Sequence, residues 1–184
     1  MKTNYLKLFG YGMAMLVMGC STVDPESAET EINLEAVKAL ASKGATKISG
    51  IGFFDETAVC DLVIDGEDAD FALLLTGDLE GCLFVYVDSH NCSPSGTYRE
   101  TGTEKFVGIY NGQFGTFETS YRFEAKYEGC DEDGFFFGAE IFGRCQHPIT
   151  KESGTGVFDG VTGRLDFKDN VETGELPFRG HLKY

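Results

Sequence analysis

Two acidic runs, Asp65-Gly66-Glu67-Asp68-Ala69-Asp70 and Asp131-Glu132-Asp133-Gly134, carry the oxygen ligands of a calcium loop but not the ligand order of an EF-hand. Acidic turns between strands account for both. Cys130, Cys145 and His147 are three soft ligands within the chemistry of zinc, yet thiols in an oxidising compartment go to disulfides first. His90 lies in Asp88-Ser89-His90-Asn91 and His181 among charged residues, neither with a nucleophile or orienting acid in view. No Gly-x-Ser-x-Gly elbow is present. The expectation is therefore no catalytic residue, no metal and no cofactor. The aromatic set is more promising: Tyr86, Tyr98, Tyr110, Tyr121, Phe123 and Tyr127 are candidates to line an interior, either as packing or as the wall of a site for one small apolar molecule.

The N-terminus says where such a site would work. Lys2 and Lys7 precede an apolar run, Leu8 to Met18, too short to span a bilayer as a mature helix. It ends in Val17-Met18-Gly19-Cys20, which resembles the lipobox of bacterial lipoproteins, with Cys20 as the acylated residue. Residues 1–19 then read as a lipoprotein signal peptide and 20–32 as an acidic tether. Ser21, directly after the cysteine, fits sorting to the outer membrane of a Gram-negative cell. The expected address is the cell envelope, held by lipid.

The chain carries a formal charge of −15, and loss of a leader with two lysines and no acid makes it −17. Such a chain repels nucleic acid and anionic head groups, and no basic cluster offsets the acid. Five cysteines remain beside Cys20. Pairing by proximity joins Cys82 to Cys92 and Cys130 to Cys145, each pair bracketing an expected hairpin, and leaves Cys60 buried. Connectivity is not deducible from sequence.

The elements that position these residues follow from periodicity. Asn33 caps a short helix over 33–44, with Leu34, Val37, Leu40 and Ala41 on one face and Gly44 as its stop. From 47 to 184 the period is two. Phe117, Thr119, Tyr121, Phe123, Ala125 and Tyr127 alternate with Glu118, Ser120, Arg122, Glu124 and Lys126, which predicts a strand with one buried and one solvated face. The same alternation runs through 161–168 and 176–184. Further strands fit 47–54, 58–64, 69–76, 81–88, 96–102, 106–111 and 135–144, several separated by Asp-Gly or Asn-Gly turns. Many antiparallel strands without helices, plus 24 glycines, predict a single closed barrel. Gly154, Gly156, Gly160 and Gly163 in Ser153–Phe167 lack the strand–loop–helix setting of a phosphate loop and read as a tight hairpin between curling strands.

Three segments carry a family resemblance: Thr76-Gly77-Asp78-Leu79-Glu80-Gly81, Phe106-Val107-Gly108-Ile109 with Gly115-Thr116-Phe117, and Ser153-Gly154-Thr155-Gly156 through Gly160-Val161-Thr162-Gly163. They resemble a bacterial family of unknown function with the allene oxide cyclase-like barrel, an eight-stranded relative of the calycins. That resemblance implies an all-β antiparallel eight-stranded barrel holding a small apolar molecule. It brings no catalytic residue, because the acid and water-holding groups of the plant cyclases have no counterpart here. The expected function is a lipid-anchored, non-enzymatic barrel binding a small apolar ligand or a protein partner. A cyclase or isomerase and a purely structural surface protein stand as alternatives. A buried ionisable group in the lumen would favour the former; an exposed apolar patch or unpaired strand edge would favour an interaction protein.

Overall fold

The computed structural model describes residues 44–184. The expected signal peptide, tether, lipidation site at Cys20 and all but the last residue of the expected helix lie outside them. The strands are β1 (Thr46–Phe54), β2 (Val63–Ile64), β3 (Glu67–Asp68), β4 (Phe71–Gly77), β5 (Leu79–Cys92), β6 (Thr97–Tyr110), β7 (Gln113–Cys130), β8 (Phe136–Pro148), β9 (Thr155–Gly156), β10 (Thr162–Lys168) and β11 (Leu176–Lys183). Eight of them close a barrel in the order β1-β4-β5-β6-β7-β8-β10-β11, and β11 returns antiparallel onto β1. β2 and β3 form a separate small hairpin. The predicted fold class is the observed one.

Alternation decides which side chains enter. On β7 the odd residues from Phe117 to Tyr127 point inward, as do Leu165 and Phe167 on β10 and Leu176, Phe178 and Leu182 on β11. Tyr184 lies beyond the last strand and is exposed. Two expected strands, 96–102 and 106–111, are one continuous strand, β6. The stretch 58–64 is mostly loop, folded so that Asp55 accepts from the amides of Val59 (3.1 Å) and Cys60 (2.7 Å), which hold its carboxyl below the usual range.

The glycine-rich stretch is not a hairpin between curling strands. β9 pairs with β7 at Gly115, and the turn after it folds Phe158 into the barrel end. Gly154 makes this possible, since a Cβ there would collide with the Phe158 carbonyl. Phe158 packs on Phe117 and Phe106 at 4.9 and 5.7 Å between ring centroids, so this end is a solid core. At the opposite end β5, β6, β7 and β8 outrun their neighbours: β10 pairs with β8 only from Arg144 to Pro148.

The disulfides correct the expected pairing. Cys60 joins Cys82 and Cys92 joins Cys130, while Cys145 is a free, buried thiol. Cys82 and Cys92 lie on one extended strand, about 33 Å apart at ~3.3 Å per residue, so no bond can join them. Cys145 pairs with Phe123, seven residues along β7 from Cys130. The Cys60 bond holds the 55–70 segment over an outer apolar patch of Ala69, Ala72 and Phe84. The Cys92 bond ties β5 to β7 across the β5–β6 turn.

A non-reducing peptide map should therefore recover the Cys60–Cys82 and Cys92–Cys130 links, with Cys145 alkylated only after unfolding. Cys92→Ser should lower unfolding stability by about 3–4 kcal/mol in a urea titration, the loop-closure contribution of a separation of 38 residues.

Candidate functional site

Most inward side chains are apolar, and β6 supplies the exceptions. Its even residues face the lumen, so Tyr98, Glu100 and Glu104 enter it. Glu104 is 3% exposed and is met by two polar groups on the facing strands. Thr119 Oγ1 on β7 donates to Glu104 Oε2 at 2.5 Å, and His147 Nδ1 on β8 shares a hydrogen bond with the same oxygen at 2.5 Å. Nε2 is left buried with no hydrogen-bond partner. The ring lies between Tyr121, at 6.0 Å, and Phe167, at 4.7 Å.

A second group sits one layer nearer the long-strand end. Glu100 Oε1 accepts from the Tyr121 hydroxyl at 2.7 Å and Oε2 from Tyr98 at 2.6 Å. Burial, then the bond to Glu100, pushes both phenols well above their ordinary range, so they stay protonated donors. Glu100 shares its layer with Phe123, Cys145, Phe167 and Phe178 through successive strand pairs. Burial, then the carboxylate of Glu104, pushes the Cys145 thiol up, which keeps it neutral.

At the long-strand end Tyr127 donates to Glu140 Oε2 at 3.4 Å. Glu140 and Asp169 converge over Gly143, where an added methyl would strike Asp169 Oδ2 and Glu140 Oε1. Burial, then the charge of Glu140 and a hydrogen bond shared with it, push the Asp169 carboxyl up to about 7. Above these groups Phe136 stacks on Tyr127 with centroids 3.9 Å apart and meets Tyr98 edge-on at 5.1 Å. Phe136 is 44% exposed although both tyrosines beneath it are buried. It belongs to Phe135-Phe136-Phe137, flanked by Gly134 and Gly138 at φ +85° and +79°, and all three rings are exposed.

The lumen is thus two-sided in cross-section. A polar stripe runs along β6, β7 and β8, and it faces Ile48, Leu73, Leu75 and Val85 on β1, β4 and β5. Of the six aromatic candidates, Tyr98, Tyr121, Phe123 and Tyr127 gather in this upper half. Tyr110 belongs to the closed end, 6.0 Å from Phe158. Tyr86 lies on the outside of β5 in the patch under the Cys60 loop, because β5 turns its odd residues inward there. The acidic runs at 65–70 and 131–134 are exposed turn segments, and no metal-ligating group of three is found among the described residues. Glu100, Glu104, Glu140 and Asp169 were missed in the sequence. For Glu100 and Glu104 the signal is acid at even positions of β6, whose even positions are otherwise aromatic or glycine; Glu140 and Asp169 carry none.

The Asp169 shift fixes a pH dependence. Its folded pKa lies above that of a free carboxyl, so the folded state favours the proton; this stabilisation is complete below about pH 4 and is lost as pH rises through 7. Stability should fall across that window in wild type, and Asp169→Asn should flatten the fall. Parallel profiles from chemical denaturation of the two proteins would contradict it.

Compared with protein-family models and with curated proteins, the chain matches none.

Proposed function

We propose that this chain is a lipid-anchored envelope protein whose barrel binds a small, flat, apolar ligand at its long-strand end, in the seat that Phe136 occupies in the free chain. The observation that carries this reading is the half-exposed Phe136 ring stacked over buried Tyr127 and Tyr98, at the end of the barrel where Glu140 and Asp169 converge. Carboxyl oxygens accept, so a ligand carrying one N–H or O–H group would be met there. An anionic ligand is disfavoured, since Glu100, Glu140 and Asp169 surround the seat. The solid lower core confines the ligand to this end.

A second reading, an isomerase, is favoured by one observation: His147, held through Nδ1 by Glu104, has its Nε2 buried without a hydrogen-bond partner. The ring stands deeper than the seat, beside Tyr121, so a substrate would have to reach past Glu100. Deuterium incorporation from D₂O into a bound small molecule, lost in His147→Gln, would move the reading from binding to catalysis.

The anchor is checked by the mass of the membrane-fraction protein, whose N-terminus should be Cys20 bearing acyl chains; an unmodified N-terminus ends that part. For the seat, 1-aminoanthracene serves as a flat apolar probe with one donor group. Its fluorescence should rise on binding, more strongly in Phe136→Ala, and the rise should be lost in Ala125→Phe, which fills the layer between Tyr98 and Tyr127. No enhancement in wild type or Phe136→Ala would sink the reading.

A further inference from the structure

The described residues hold 11 Lys and Arg against 25 Asp and Glu, yet the sheet collects six of the eleven cations on one wall. Lys47 of β1, Arg179 and Lys183 of β11, Arg164 and Lys168 of β10 and Arg144 of β8 all take the outward parity of adjoining strands. Arg144 is tied to Glu124 at 2.9 Å, but the others share the wall with one acid, Asp166, which Arg164 holds at 2.9 Å. Asp78, at the neighbouring β4–β5 junction, is engaged by the Ser49 amide at 2.7 Å. Strand pairing places Lys47 opposite His181 and His181 opposite Arg164, so three basic side chains form one cross-strand line. Lys168 also stands opposite Arg144; like charges facing each other across strands oppose folding, and a sheet with 25 acids to draw on has no structural need of that pairing.

A groove of about 740 Å³ follows the wall, lined among others by Lys47, Ser49, Arg179 and His181. Its lining also includes Ala45, the residue before β1, so the described chain enters the barrel here. We propose that this wall rests on the phosphate headgroups of the bilayer that holds the lipid anchor. Charge complementarity and chain entry point to the same surface. The acid elsewhere on the barrel does not prevent it, because charges more than about 8 Å away are screened at physiological salt. A few cations bind a surface weakly by themselves, but a tether that holds the barrel nearby converts weak attraction into a fixed orientation. The barrel then lies on its side, with the Phe136 seat at the level of the membrane surface.

This proposal rests on the chain being held at a membrane, and its test is made without the anchor so that the two can fail separately. The unacylated mature chain, residues 21–184, is sedimented with vesicles of phosphatidylcholine alone or mixed with phosphatidylglycerol. At low salt, binding to the mixed vesicles should exceed binding to phosphatidylcholine by on the order of ten-fold and fall at physiological salt. The double variant Lys47→Glu with Arg179→Glu should lose the difference while keeping the wild-type near-ultraviolet circular dichroism. Equal binding to both vesicles overturns the proposal, as does a double variant that binds like wild type. Displacement by millimolar inorganic phosphate at constant ionic strength also overturns it, since that marks a small-anion site instead of a membrane face.

Discussion

The interior of a closed eight-stranded barrel has about the volume of the side chains that its own strands send inward. Every inward residue therefore has to be matched by those in its own layer, and this constraint shapes the molecule. Where Phe178 projects from β11, the facing residue on β1 is Gly50, because a Cβ there would enter the phenyl ring. Where β8 and the chain after β10 bring two carboxylates together, the residue beneath them is Gly143. The closed end obeys the same rule through a loop, with Phe158 filling the space that the strands leave.

Within so tight a volume the polar stripe is costly unless its members satisfy one another. An unpaired buried charge costs several kcal/mol, and Glu104 avoids that through Thr119 and His147, as Glu100 does through two tyrosines. Among the described residues of the lumen, His147 Nε2 is buried without a partner, and there the lumen is incomplete by its own rule. The exposed Phe-rich segment, whose strand edge beyond Arg144 has no partner in β10, is incomplete in a different way, on the outside. The second departure lies in the part of the barrel that outruns the short strands.

The sequence displays the barrel because alternation on β7, β10 and β11 is uninterrupted, and a two-residue period leaves few folds open. It hides the polar stripe for the same reason. Glu104 breaks the alternation, so β6 reads as two strands with a loop between them, although its polarity marks the most unusual point of the lumen. The cysteines mislead because nearness in sequence was taken for nearness in space, whereas a 14-residue strand carries Cys82 and Cys92 far apart. The basic wall is invisible in a linear scan: Lys47, Arg164 and Arg179 are spread over more than a hundred residues and meet only through strand order.

That strand order has a consequence for how the chain acquires its shape. β1 opens the barrel and β11 closes it, and the two pair along seven positions from Thr46 with Leu182 to Gly52 with Leu176. The first strand stays without one of its two neighbours until Leu176–Lys183 have left the ribosome. Pairing across such a separation is slow, because the loop entropy is spent before any contact is made. A nascent chain of this topology cannot close its barrel before β11 has emerged.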